Sequence, residues 1–425
     1  MIRAETSRSE ERNLRRLVVA ATTTWVVLLV YAAVRMMRPW PDVLFGTDFI
    51  SFWSAAAMIR EGASSTLFDL ETQRSFQTKL HMELSTTDYT GSPAMFMPYL
   101  SPPPLAILYL PLTLVPLPWG YALWFGISLA MFLAAIALAL QGAPFGRSHA
   151  ALMLTFGAVT TTLLEGQPYG LFLLVFTAAL RAMASGQPAL GGALLGLLWL
   201  KPQYAVLLPL IFLVKARWHE LGGMAAAGLI LAALSLAMVG PAGMVGYLAM
   251  FQQTGIDFPA ASPLAMVNGR ALLLNLWPGM PKSSAAMLVV LLGGTTTLVS
   301  LLAWRGRWDA ASPRFPRQML AAMGATLFAT PHSHFHGTVL LLAPLAMITS
   351  CGGERAAWAW RPLLVMGYVL ALVVALYSPL RWLMAPYLML AMGLLILQSR
   401  CDRAGMLAQP RQKDRGHDEA LPHAL

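Results

Sequence analysis

The feature that most limits this chain is a train of apolar runs, begun near Leu17 and resumed after Pro103, separated by short strings that carry arginine or lysine. Most of the runs are apolar all round, the pattern of helices surrounded by lipid or by other such helices. The composition agrees. Hydrophobic residues are 57% of the 425 and charged residues 11%, under half of the roughly 25% usual in globular domains. That excludes a soluble enzyme, for want of polar surface, and a disordered protein, whose composition is the reverse. Two cysteines exclude a disulfide framework. The net charge of +10 does not point to nucleic acid, because the basic residues are scattered between apolar runs and form no basic domain. In a membrane such strings set orientation instead. The fold class is an all-α polytopic membrane protein.

Residues 1–16 are a polar tail with five arginines, and the run from Leu17 to about Val34 follows. Its length, with no small-x-small cleavage site after it, favours an anchor retained as the first helix over a cleaved signal peptide. Residues 38–103 are the longest polar segment between apolar runs and hold seven of the nineteen acids. Phe49, Phe52, Trp53, Ala56 and Ala57 recur at helical spacing, and a second amphipathic stretch covers 68–82. These predict short helices lying on the membrane surface within a long first outer loop. Spans are then expected near 119–140, 149–164, 168–184, 188–200, 203–215, 221–239, 284–303, 318–331, 336–350, 362–377 and 380–398. Several fall short of the roughly 20 residues of a straight crossing. Broken helices of that kind are tolerated where they line a protein cavity.

Residues 102–118 are apolar yet rich in proline, which removes helical hydrogen bonds and clashes with the preceding turn. Charge decides how the segment is placed. If it enters and leaves on the outer side, as a re-entrant or surface-lying piece, the chain has about 12 transmembrane helices with both termini cytoplasmic, and twenty of the 29 lysines and arginines face inward. A full crossing would turn most of those arginines outward. The expected organisation is a cytoplasmic tail at 1–16, a transmembrane domain at 17–398 with a second outer loop at 240–282, and a disordered cytoplasmic tail at 399–425. Cys351 and Cys401 fall on the inner side, where thiols stay reduced. The expected location is the inner (plasma) membrane of the cell, with the active site facing the periplasm or exterior.

With this orientation the unusual polar residues gather at the outer face: Asp48, Glu165, Gln167, Lys201, Asn268, Arg270, the string His332, His334, His336, and Arg381. Ionisable groups at membrane depth are costly and tend to have a function or a partner. Asp48 reads either as a general base, its pKa raised by partial burial, or as the N-cap of the helix at 49–60. Lys201 reads as a phosphate ligand or as a lysine snorkelling to the headgroups, and Arg270 and Arg381 share that ambiguity. The alternating histidines would share one face of an extended segment. A divalent metal is one reading of them, but with no carboxylate or cysteine beside them the expectation is no metal and no cofactor; donation to a phosphate or proton relay fits better. Glu165 and Gln167 suit hydroxyl recognition at a broken helix, or satisfy loose backbone ends. There is no nucleotide fingerprint.

The order of several short motifs resembles glycosyltransferase family 87. They are Gly46-Thr47-Asp48-Phe49 with an aromatic-rich helix and Gly62…Leu67-Phe68-Asp69; Pro102-Pro103, Pro111-Leu112, Leu117-Pro118 and Ala122-Leu123-Trp124; Gly166-Gln167, Gly191-Gly192-Ala193-Leu194-Leu195-Gly196 and Lys201-Pro202; and Thr330-Pro331-His332…His336. Together they cover about 46–345. Ser101 stands where the family often has an aromatic, with Tyr99 two residues earlier, and Tyr169 where it often has asparagine. The resemblance implies a GT-C-like integral membrane glycosyltransferase. It would take a sugar, mannose- or arabinose-like, from a polyprenyl-phosphate donor and pass it to a lipid or glycan acceptor on the outer side. Asp48 would then deprotonate the acceptor hydroxyl. Lys201, Arg270 and one of His332, His334 and His336 would hold the departing phosphate, and Glu165, Gln167 and Asn268 the sugar hydroxyls. The expected partners are these two substrates and membrane lipids, with no nucleic acid. Two other classes stay open: a flippase for lipid-linked sugars, although no inverted repeat is visible, and a non-catalytic membrane scaffold.

Overall fold

The computed structural model describes residues 47–84, 96–141, 146–254, 266–351, 365–375 and 377–391, with isolated positions 19, 22, 23, 26, 264 and 393. Apart from those positions, the first apolar run, both tails, Arg355, Arg361 and Cys401 lie outside the described residues. All regular structure among the described residues is helical. The α-helices are α1 (Asp48–Arg60), α2 (Leu70–Leu84), α3 (Pro103–Ile107), α4 (Leu117–Ala139), α5 (Gly146–Leu154), α6 (Gly157–Glu165), α7 (Tyr169–Ala184) and α8 (Pro188–Gly196). They continue as α9 (Leu207–Val214), α10 (Trp218–Thr254), α11 (Gly269–Leu276), α12 (Lys282–Ala303), α13 (Phe315–Ala329) and α14 (Leu342–Cys351).

Three stretches are long and apolar enough to cross a membrane: Leu117–Ala139, Trp218–Met250 and Ser283–Ala303. They turn large apolar side chains out of the protein, among them Leu123 and Leu133, Leu229 and Val245, and Val290 and Leu298. A protein with an apolar core and an apolar exterior is stable only in lipid. The other apolar segments are shorter, as the sequence suggests, and several end in 3-10 turns. Helices α8 and α10 approach backbone to backbone. A Cβ on Gly192 would lie 2.0 Å from the Glu220 carbonyl oxygen, and one on Gly223 2.2 Å from that of Ala189. Small residues at such a seam let helices close without a side-chain layer between them.

Three expectations change. Helix α1 does not lie on a surface: every residue from Phe49 to Met58 is buried. Spacing gives the helix but not what covers its other side. Helix α2 buries a polar face, Gln73, Gln77 and His81. The reason is the extended segment beside it, which has no strand partner. Gln73 Oε1 accepts from the Tyr99 amide at 2.7 Å and Gln77 Oε1 from that of Met97 at 3.1 Å, while Gln77 Nε2 donates to the Met97 carbonyl at 2.8 Å. The two side-chain amides satisfy backbone groups that would otherwise be buried unpaired. Finally, α10 breaks at Gly240-Pro241, next to the expected end near 239, with Gly240 at φ +67, but a second helical part follows where a loop is expected. Its far part packs against the segment between α1 and α2, with Tyr247 and Phe68 rings 4.8 Å apart.

Residues 102–118 form α3 and the 3-10 turn Leu110–Leu114 before α4 begins at Leu117. Each piece has five residues, far below a crossing length. The segment is tied inward: Trp53 Nε1 donates to the Leu112 carbonyl at 3.2 Å, and Arg60 to that of Thr113.

Candidate active site

Asp48 is the first residue of α1, but it is not the cap; the N-cap position is Thr47, with no side-chain capping bond. The Asp48 carboxylate accepts a 2.6 Å hydrogen bond from Gln167 Nε2. It sits in the first helical turn, where exposed amides favour negative charge.

The opposite side of that bond is a rigid turn. Helix α6 ends at Glu165, Gly166 takes a left-handed conformation (φ +68), and the Gln167 amide closes back on the Thr162 carbonyl at 3.1 Å. Only glycine fits, since a Cβ here would meet Phe49 Cβ at 2.6 Å. Three aromatic side chains fix the same turn. Tyr109 OH and Trp124 Nε1 donate to the Gly166 carbonyl at 3.0 and 2.8 Å, and Tyr121 OH to that of Leu164 at 2.7 Å. Tyr109 comes from the proline-rich segment, which thus links α1 to the turn that aims Gln167.

Lys201 stands in the break between the apolar segments Pro188–Leu200 and Pro202–Val214. Its Nζ lies 5.3 Å from the centre of the Phe52 ring and 5.8 Å from that of Tyr169. Burial pushes the ammonium down to about 8, against the attraction of Asp48. Tyr169 also stacks on His336 at 5.9 Å and shares a 2.7 Å hydroxyl contact with Tyr204.

The three histidines do not act as one set. His332 and His334 meet edge to face at 4.7 Å, while His336 lies in the 3-10 turn Phe335–Leu341. Burial, reinforced by Lys201 and Arg270, pushes His332 down to about 4, so it is neutral at pH 7. It can donate a hydrogen bond to a phosphate but brings no charge. His336 instead faces acids: ligand atoms of Asp48, Glu165 and His336 lie within 4.8 Å of one another. That trio, and not the histidine string, is the group among the described residues able to hold a metal ion. His336 is 3% exposed and Gln167 8%, and His336 Nε2 and Gln167 Oε1 have no hydrogen-bond partner among the described residues. Glu165 faces Arg381 Nη2 at 3.8 Å.

Asn268 has a different place. It is 0% exposed and caps α11, with Oδ1 accepting from the Ala271 amide at 2.9 Å and Nδ2 donating to the Thr330 carbonyl at 2.9 Å. Its amide is engaged with backbone, so the expected contact with sugar hydroxyls gives way to a capping role. Arg270, next in that helix after Gly269, is buried.

Thus Asp48, Glu165, Gln167, Lys201 and His336 come together, with Arg381 added by a segment far along the chain. The sequence singles out neither Tyr109, in the proline-rich segment, nor Tyr121, in the span 119–140, as an anchor, and Trp124 enters only through the motif Ala122-Leu123-Trp124. An acid fixed by an amide, faced by cations and by uncommitted polar atoms, can remove a proton from a hydroxyl while an anion leaves nearby.

The fold is that of an all-α membrane protein in which acids, an amide, a histidine and cations gather at one place. The chain belongs to glycosyltransferase family 87, whose model matches residues 99–331, more than half of it. It is a membrane glycosyltransferase. No curated protein and no solved structure matches it significantly. The matched stretch includes Glu165, Gln167, Lys201, Asn268 and Arg270; Asp48, the three histidines and Arg381 stand outside it.

Proposed function

We propose that the enzyme transfers a mannose- or arabinose-like sugar from a polyprenyl-phosphate donor to a hydroxyl of a lipid or glycan acceptor, on the outer side of the inner membrane. The observation that carries this reading is the Asp48 carboxylate, held by Gln167 at 2.6 Å with the Lys201 charge beside it. Asp48 takes the acceptor's hydroxyl proton. The acceptor oxygen forms its bond to the anomeric carbon as the carbon–oxygen bond to phosphate breaks, and the electron pair leaves on the phosphate oxygen. The phosphodiester monoanion becomes a phosphomonoester dianion, and configuration inverts. Lys201 and Arg270 stabilise that added charge, with His332 or His334 as neutral donors. Gln167 orients the base, and Glu165 is left as the candidate for a sugar hydroxyl. A lipid donor enters from the bilayer, so no nucleotide site is needed.

The same reading keeps about 12 spans, both termini cytoplasmic, and residues 102–118 on the outer side without a full crossing. The two five-residue pieces in that segment support it. No metal is assigned. The Asp48, Glu165 and His336 trio has suitable ligand types, but two cations, Lys201 and Arg270, already serve the developing charge. Transfer from radiolabelled polyprenyl-phosphate sugars to an envelope-lipid acceptor fraction tests the reading, and no transfer by protein that binds donor would favour a flippase.

A further inference from the structure

Arg381 lies outside the stretch matched by the family model, on the 3-10 turn Ser378–Leu383. That turn packs beside α11, where Trp382 meets the pair Met266 and Ala271. Its guanidinium therefore enters the site from the side that also carries Arg270. The side chain is only 14% exposed, and its one ion pair among the described residues, to Glu165, is long at 3.8 Å. Its Nε is buried with no acceptor among the described residues. The guanidinium also lies 5.8 Å from the centre of the Phe335 ring, within the histidine string. A guanidinium offers five donors in a fixed fork, and leaving one buried and unpaired is costly. Such a group next to Glu165, itself with ligand atoms within 4.8 Å of those of Asp48 and His336, has the donors to bind an anion.

We infer that Arg381 binds the phosphate of the isoprenoid donor, and that Glu165 is its counter-ion before the donor enters. The inference rests on the transferase reading given above and deepens it. When the donor enters, its phosphate oxygens replace the distant carboxylate and reach Nε as well as Nη2, so the fork is engaged in two bonds. Glu165 is then released toward the sugar. As the sugar leaves, the phosphate gains one negative charge, and the contact strengthens in the transition state.

Farnesyl phosphate, an isoprenoid phosphomonoester, is the probe for binding to the full-length protein in lipid nanodiscs, with farnesol and inorganic phosphate as controls. Arg381→Gln should weaken farnesyl phosphate binding about 10- to 100-fold and leave farnesol unaffected, with Arg381→Lys between. Glu165→Gln should tighten it about 2- to 5-fold by removing the competing carboxylate. Unchanged affinity in Arg381→Gln would overturn the inference. So would weakening in Glu165→Gln, which is what a merely structural ion pair predicts. Inorganic phosphate displacing the probe at equal concentration would overturn the isoprenoid assignment. Thermal melting of each variant separates misfolding from lost contacts, and Glu165→Gln gives a gain that misfolding cannot. Failure of the transferase reading would appear elsewhere, as no transfer by wild-type protein that binds donor, and would not change these affinities.

Discussion

Gln167 Nε2 donates to Asp48 Oδ2 at 2.6 Å across 119 residues of sequence. The bond joins the start of one helix to the turn that ends another, and both ends are built. Phe49, beside Asp48, packs against the site where only glycine fits at 166, and Tyr109 and Trp124 hold the Gly166 carbonyl. The Asp48 carboxylate is thereby oriented before any substrate arrives.

Gln167→Leu should therefore lower kcat about 10- to 100-fold, the usual result of misplacing a catalytic group by about 1 Å, with a smaller change in donor KM. Steady-state kinetics with a saturating acceptor measures this. A change confined to KM would mean that Gln167 binds substrate instead of aiming the base.

Gly166→Ala should destabilise the protein by about 1–3 kcal/mol, from the left-handed backbone alone, with a further clash against Phe49. Melting temperature in nanodiscs reads this directly. Trp124→Phe, which removes one donor to the Gly166 carbonyl but leaves Tyr109, should cost about 1 kcal/mol.

Lys201 carries the expected pH dependence. Its free-enzyme pKa is lowered to about 8 by burial, so the protonated form that attracts phosphate is lost as pH rises through that value. Donor kcat/KM, which reports the free enzyme, should fall above about pH 8. Lys201→Arg, charged at every accessible pH, should retain activity there. A flat profile from pH 7 to 9.5 in the wild type would contradict this.

Chelation separates the cation centre from a metal centre. With Lys201, Arg270 and Arg381 supplying positive charge, transfer should survive EDTA followed by gel filtration. If activity disappears and returns with Mg2+ or Mn2+, then Asp48, Glu165 and His336 are metal ligands, and the base assignment must move.

The class of fold is plain in the sequence, because apolar runs and their arginine strings follow from the energetics of a bilayer. Helix α1 is visible in the spacing of Phe49, Phe52 and Trp53, but its burial is not, since a period says which residues share a face and nothing about the other faces. Gln73 and Gln77 look like the wet side of α2 and are buried because extended backbone needs partners. At the site, residue types near helix breaks single out Asp48, Glu165, Gln167 and Lys201. Their pairing is a matter of tertiary contact and has no local signal. Asn268 could not be told from a ligand by type, because the same amide geometry serves a cap. Arg381 looks like one more interfacial arginine until Ser378–Leu383 brings it against Glu165.

The central claim is that Asp48 is the base of a sugar transfer. The most direct test is transfer of label from a polyprenyl-phosphate sugar by purified wild type and Asp48→Asn side by side in lipid, with donor binding measured on both. The account predicts product from the wild type and a loss of about 10²- to 10⁴-fold in the variant, with donor binding kept. Equal turnover by the two proteins would contradict it.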